Sequence, residues 1–252
     1  KGHVVYKWGY PVHIRKALLD LLAAVSFTME PAFRTLVKTE WSEFAYADIA
    51  KIHSSIKRKS MIEHPEYNVY FENNPSKLIA ARTMTSGFVY HTPINGVTKA
   101  VVYNNYKANH LKGLLSSSRL KRERTVIFYN YVYELTQLIE LHDELERPYI
   151  VAAQSKSIQS DWEDTSKLSI LIQISAGSHG LNLQTECSHV IMYSMQYAYD
   201  IYEQAIARVA RYPNKTVYVI LLAPAESKLE KAMLSVIKRR AKVNDDFILS
   251  LL

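Results

Sequence analysis

Apolar residues in the first hundred positions recur at helical spacing, and from about residue 99 the pattern changes to short apolar runs alternating with helical segments. Positions 13–27 and 46–61 repeat apolar side chains three and four apart, with Ile49, Ile52 and Ile56 the clearest series. Asn74 before Pro75 predicts a helix start, because proline at the first helical position gives up an amide that has no partner there anyway. Gly87 stops that helix after Met84, and 64–74, rich in Asn, Tyr and Glu, predicts a loop. Farther on, 125–129, 149–153, 168–174, 189–193 and 216–223 are β-rich apolar runs, and 133–146, 198–211 and 226–240 have helical spacing. Strands apolar throughout are buried on both faces, so their alternation with helices predicts an α/β fold built on a parallel sheet. The expected organisation is a mainly helical region over 1–98, followed by the sheet domain over 99–252.

Composition narrows the classes. A chain of 252 residues that is 48% hydrophobic and 22% charged can bury a sizeable core. No stretch reaches the roughly 20 apolar residues of a membrane span, and the best, 17–25, is short and carries Asp20. The N-terminus lacks the pattern of a signal peptide, and a start at Lys1 without Met is that of an excised piece. Cys187 is alone, which rules out an internal disulfide and suits a reducing cytoplasm. The net charge of +7 favours a polyanionic partner. The basic residues cluster at Lys57-Arg58-Lys59, at Arg119, Lys121, Arg122 and Arg124, and at Lys238-Arg239-Arg240 with Lys242. Each cluster alone reads as a solvated face; the three together lean toward contacts with phosphate backbone.

Glycine is scarce, with 7 in the chain, so Gly177 and Gly180 stand out just past the run that ends at Ile174. Ligands of parallel sheets sit beyond the carboxyl ends of strands, where a loop approaching a phosphate needs residues without bulk. A tight turn with no ligand fits the spacing equally well. In the helix after Tyr199, Gln204, Arg208 and Arg211 fall in one stripe, with Tyr202, Ala205, Ile206 and Val209 opposite. Pro213 disfavours helical geometry at Tyr212 and so ends the helix at Arg211. Taken alone, such a stripe reads as long solvated side chains.

Together these features resemble a family. Ser175-Ala176-Gly177-Ser178-His179-Gly180-Leu181-Asn182-Leu183-Gln184 resembles motif V of superfamily-two helicases of the Swi/Snf-like kind. Gln204-Ala205 with Arg208 and Arg211 matches the motif VI pattern Gln-Ala-x-x-Arg-x-x-Arg, and 125–130 resembles motif IV. The likeness runs from about Lys107 to the C-terminus, and more weakly over 78–90. It implies a second, C-terminal RecA-like motor domain of an ATP-dependent helicase or translocase. In that family's pattern Arg211 is the arginine finger on the γ-phosphate, Arg208 stands beside it, and Gln204 couples the nucleotide to the domain interface. Gly180 and Asn182 lie near the nucleotide, while Ser175, Ala176 and Gly177 lie on the nucleic-acid side. Tyr212-Pro213 replaces the Gly-Gln of many relatives, and Trp162 stands where a Phe is usual, which suits a compact bacterial or phage enzyme better than a chromatin remodeller.

A P-loop needs Gly-x-x-x-x-Gly-Lys-Ser/Thr, and no two glycines here are five positions apart. Asp143-Glu144 superficially resembles a magnesium-holding acidic box, but it follows a helical pattern and reads as a solvated helix end. Cys187-x-His189 lacks the further ligands of a zinc site; Cys187 reads as a small buried residue and His189 as the start of a core strand. The resemblance therefore implies ATP with Mg²⁺ held mainly by another RecA-like domain, no metal of this chain's own, and no turnover by this chain alone. The implied partners are that first domain and nucleic acid, double-stranded DNA foremost, with no membrane. Two other functions compete: a non-catalytic basic nucleic-acid-binding module, and the ATPase half of a restriction or repair complex. The Gln204/Arg208/Arg211 set favours the motor, since a binding module has no use for an arginine finger.

Overall fold

A computed structural model describes residues 35–65, 68–92, 96–153, 158–175, 183, 187–196, 198–211 and 216–251, the last eleven as backbone only. The expected helix over 13–27 lies outside the described residues. In chain order, the first part contains β1 (Leu36–Phe44), α1 (Ile49–Lys59), β2 (Met61–Ile62), β3 (Val69–Tyr70), α2 (Asn74–Met84), β4 (Phe88–His91) and β5 (Lys99–Val102). The second part runs α3 (Tyr106–Ser116), β6 (Thr125–Tyr129), α4 (Val132–Glu144), β7 (Tyr149–Val151) and α5 (Ile158–Glu163). It continues with β8 (Ser169–Gln173), β9 (His189–Met192), α6 (Tyr199–Ala207), β10 (Thr216–Pro224) and α7 (Leu229–Leu251).

Six strands form one parallel sheet in the order β1-β10-β9-β6-β8-β7. Alternate side chains leave opposite faces, and both faces are covered. Val126, Phe128, Ile172, Val190 and Leu221 pack under Tyr202 and Ile206 of α6 and Leu234 and Ile237 of α7. Ile127, Leu171, Ile191 and Ile220 pack under Leu111 and Leu115 of α3 and Leu138 and Leu141 of α4. This double burial is why the central runs are apolar through their middles, at Val126–Phe128, Ile170–Ile172 and Val190–Met192. The chain leaves β6 toward β7 and leaves β9 toward β10, in opposite directions along the sheet. The crevice between the carboxyl ends of β6 and β9 is thus the topological switch point.

The first hundred residues depart from the helical expectation. β1 pairs in parallel with β10 along its whole length, Leu36 opposite Thr216 through Phe44 opposite Pro224. Its apolar residues, Leu36, Val37, Trp41 and Phe44, have no period of two, because most of this edge strand is exposed. The sheet therefore takes its last strand from the segment expected only to lead up to it. The segment 64–74 contributes β3, paired antiparallel with β2. β4 and β5 form a hairpin, Phe88 opposite Val102 and His91 opposite Lys99, so a division at residue 98 runs through a paired unit. A third core, with Phe44, Ile49, Ile56, Val69, Phe71 and Met84, joins α1, α2 and the two hairpins to the end of β1.

α2 is capped one residue earlier than predicted. Asn73 accepts from the Ser76 amide at 2.8 Å while its own amide donates to Ser76 Oγ at 3.3 Å. Gly87 ends this segment at φ 85°, with its carbonyl accepting from the amides of Tyr103 and Asn104. A Cβ there would lie 2.0 Å from the Asn104 carbonyl oxygen. Gly87→Ala is expected to cost about 1–3 kcal/mol from the left-handed backbone alone and more from the clash. A denaturation midpoint equal to that of the parent chain would contradict this.

Candidate functional site

The carboxyl ends of the central strands are bound together by side chains. Asn130, next after β6, donates from Nδ2 to Ser194 Oγ at 2.7 Å and to the Ser194 carbonyl at 3.0 Å. Its own carbonyl accepts from Gln173 Nε2 at the end of β8, at 2.9 Å. Glu134, fully buried in the first turn of α4, accepts through Oε2 from the amides of Asn130 and Tyr131 and from Ser194 Oγ. Its Oε1 accepts from Ser86 Oγ at 2.6 Å, and Lys107, also fully buried, donates to Ser86 Oγ at 3.2 Å. Burial lowers the Lys107 pKa, Glu230 and Glu134 oppose the shift, and Arg82 adds to it. Arg82 of α2 donates to the Met195 carbonyl at 2.8 Å, so α2 closes over the end of β9. Nothing in the sequence marks this network. Glu134 and Lys107 look like ordinary helix-surface charges, and only the topology brings them together.

Ser175 lies just beyond β8, after Ile174, whose amide donates to the Tyr129 carbonyl at 2.8 Å. Ala176, Gly177, Gly180 and Asn182 lie outside the described residues. Past them, the amide of Leu183 donates to the carbonyl of Arg208 at 3.2 Å, and Leu183 is buried in the same core as Tyr202, Ala205, Ile206 and Val209. The segment that leaves β8 near Ser175 thus returns to the end of α6.

α6 ends four residues sooner than expected. Its last helical residue is Ala207, and Arg208 is the C-cap. The amides of Val209 and Ala210 both donate to the Ile206 carbonyl, and that of Arg211 donates to the Val209 carbonyl. These tighter turns, with the Leu183 amide, satisfy carbonyls that a helix end leaves open. The predicted stripe is therefore broken into three settings. Gln204 is exposed on the helix, Arg208 is buried at its cap, and Arg211 is exposed in the turn beyond. Burial lowers the Arg208 pKa, and the positive charge of Arg211 lowers it further, which places the two guanidinium groups within each other's field. A pair of fixed cations suits a phosphate and disfavours a metal ion.

The basic cluster 119–124 lies at the opposite, amino-terminal edge of the sheet, just before β6. Two of its cations serve the fold. Arg119 pairs with Glu40, and buried Arg124 donates to the carbonyls of Trp162 and Lys167 with its guanidinium 3.7 Å from the Trp162 ring centroid. The Trp in place of a Phe is thus the platform for Arg124. Asp143 and Glu144 do sit at the exposed end of α4, where Glu144 pairs with Lys112. Cys187 is buried, its thiol pushed up to about 12 by desolvation, and His189 opens β9 stacked on Tyr218. Among the described residues no group of three His, Cys, Asp or Glu side chains could hold a metal, and no helix is long and apolar enough to cross a membrane.

Comparison with known proteins bears on the fold. No curated protein matches the chain. Among solved structures, the crystal structure of the C-terminal part of the Fun30 ATPase domain is similar, with a TM-score of 0.59 at 15% identity. The match covers 81% of this chain and 90% of that one, a likeness of fold. Residues 106–213, from the start of α3 to just past Arg211, match the family described as "Helicase conserved C-terminal domain". With its six-stranded parallel sheet and flanking helices, the chain has a RecA-like fold, and its residues 106–213 are similar to the helicase conserved C-terminal domain.

Proposed function

We propose that this chain is the second motor half of an ATP-dependent nucleic-acid translocase or helicase of the Swi/Snf-like kind. The observation that carries the reading is the hydrogen bond from the Leu183 amide to the Arg208 carbonyl, with Arg211 exposed three residues on. It joins the end of the motif V segment to the arginines of motif VI, as one cleft requires.

In this reading Arg211 reaches the γ-phosphate presented by another RecA-like domain. There its guanidinium meets charge spreading over the transferred phosphoryl oxygens. Arg208, held at the helix cap, keeps the local field positive, and Gln204 stands exposed at the interface. Gly180 and Asn182 approach the nucleotide, and Ser175, Ala176 and Gly177 face the nucleic acid, with double-stranded DNA as the expected track. Magnesium bound with ATP belongs to the partner domain. Hydrolysis needs both halves.

A steady-state phosphate-release assay tests this directly. The chain alone, with ATP, Mg²⁺ and saturating DNA, is expected to give no turnover above buffer. Joined to a P-loop-bearing motor domain of its own protein, it is expected to give DNA-stimulated turnover. Robust turnover by the chain alone would overturn the division of labour.

A further inference from the structure

Four aromatic rings meet where the β4–β5 hairpin abuts the start of α4. Phe88 is fully buried and forms the floor. The rings of Tyr90, Tyr131 and Tyr133 surround it at centroid distances of 5.3, 6.4 and 4.8 Å, and those of Tyr90 and Tyr131 lie 6.3 Å apart. All three tyrosines are half-buried, with the Tyr131 hydroxyl turned inside, and Val132 between two of them is 70% exposed. The group is rigid. The Tyr90 hydroxyl accepts from the Tyr133 amide at 3.3 Å and so fixes its own ring against the first turn of α4. Rings held in place before a ligand arrives give up little freedom on binding.

Charge and position favour a nucleic acid. The Arg82 guanidinium lies 5.3 Å from the Tyr131 ring centroid. Burial raises the pKa of Tyr90 and Tyr133, which keeps both phenols uncharged beside a phosphate backbone. Glu140, exposed farther along α4, is the acidic residue felt at Tyr133. Tyr131 directly follows Asn130, whose carbonyl is held by Gln173, two residues before Ser175. The tyrosines thus stand one strand away from the segment assigned above to the nucleic-acid side.

We propose that Tyr90, Tyr131 and Tyr133 form a stacking ledge for unpaired bases, and that single-stranded nucleic acid is its ligand. This rests on the reading of Ser175 as part of a duplex track and adds beside that track a surface that recognises the base faces of a strand released from the duplex. A duplex hides those faces within its own stack, so the ledge discriminates between the two forms.

The test uses the whole chain and a short single-stranded oligonucleotide carrying a fluorescent adenine analogue, with the matching duplex in parallel. Tyr133→Ala is expected to weaken single-strand binding by about 5- to 150-fold, the range for losing one base–aromatic stack. It should reduce the analogue's quenching and leave the salt dependence and duplex affinity unchanged, since no phosphate contact is lost. Tyr133→Phe, which keeps the ring, should bind like the parent. Val132→Glu, at an exposed site that disturbs no packing, should weaken single-strand binding in a way that added salt relieves. Single-strand affinity unchanged in both Tyr133→Ala and Val132→Glu, or equal losses on duplex and single strand, would overturn the ledge. In either case binding that is abolished by Ser175→Asp would leave the proposed track standing. Failure of the parent chain to bind any nucleic acid would overturn both.

Discussion

Replacing Arg211 by alanine in the full-length protein is expected to lower ATP turnover by about a thousand- to a hundred-thousand-fold, the contribution of an arginine finger in related phosphoryl-transfer systems. The side chain is exposed, so its removal disturbs little of the fold and should change stability by about 0.5 kcal/mol or less. That contrast makes the experiment decisive. An ordinary surface cation would change turnover by well under tenfold. Nucleic-acid affinity, measured on the same preparation across a salt series, should keep its slope, because a guanidinium that contacts a backbone phosphate accounts for about one unit of it. Turnover close to that of the parent, or a slope reduced by one unit with turnover retained, would move Arg211 from the ATP site to the nucleic-acid track. Arg208 should behave differently. It is buried at the cap of α6, so Arg208→Ala is expected to lose stability as well as turnover.

The second large effect is expected at Glu134. Its two oxygens accept from two backbone amides and two serine hydroxyls, and one of those hydroxyls also carries the buried ammonium of Lys107. Glu134→Ala removes one of the two anions felt at Lys107 and frees the amides of Asn130 and Tyr131. Leaving buried donors without their acceptor costs about 1–3 kcal/mol each, and chemical denaturation should show that loss with little change in slope. The double variant Glu134→Gln, Lys107→Met removes both charges and should recover a large part of it. A single Glu134→Ala variant within about 1 kcal/mol of the parent would mean that water or Glu230 already stabilises Lys107.

The sequence was most legible where burial is symmetrical. The run 125–129 coincides with β6, and the other four central runs differ from their strands by one or two residues, since a strand covered on both faces must be apolar throughout. Legibility fell at the edges. β1 has too few buried positions to show a period, and pairing with β10 decides its conformation. The cap at Asn73 differs from the expected Asn74 by one residue because two adjacent asparagines offer the same chemistry, and Ser76 chooses between them. In the site, Arg208 and Arg211 were found by their spacing together with the motif VI resemblance, yet their settings were not. A repeat of four and three residues assumes a helix to its end, and here the helix gives way to tight turns after Ala207. Glu134, Lys107 and Arg82 carry no motif. Their partners come from elements far apart in sequence.

The long reach of β1 also shapes how the chain must assemble. Beside that strand pair, the Tyr46 amide is bonded to Glu226 across a separation of 180 residues. On a ribosome adding about 5–20 residues per second, β1 would wait roughly 10–40 s for β10 to emerge. During that time α1, α2 and the two hairpins can already condense around their own core, because their contacts are local. The central strands β6 to β9 can follow as a second unit. Edge closure must then await β10, and the packing of α7 follows it. A chain cut short before Thr216 would keep the core of its first part, lose Val217, Ile220 and Leu221 from the two cores of the sheet, and leave β1 unpaired, a strand free to seek the edge of another copy.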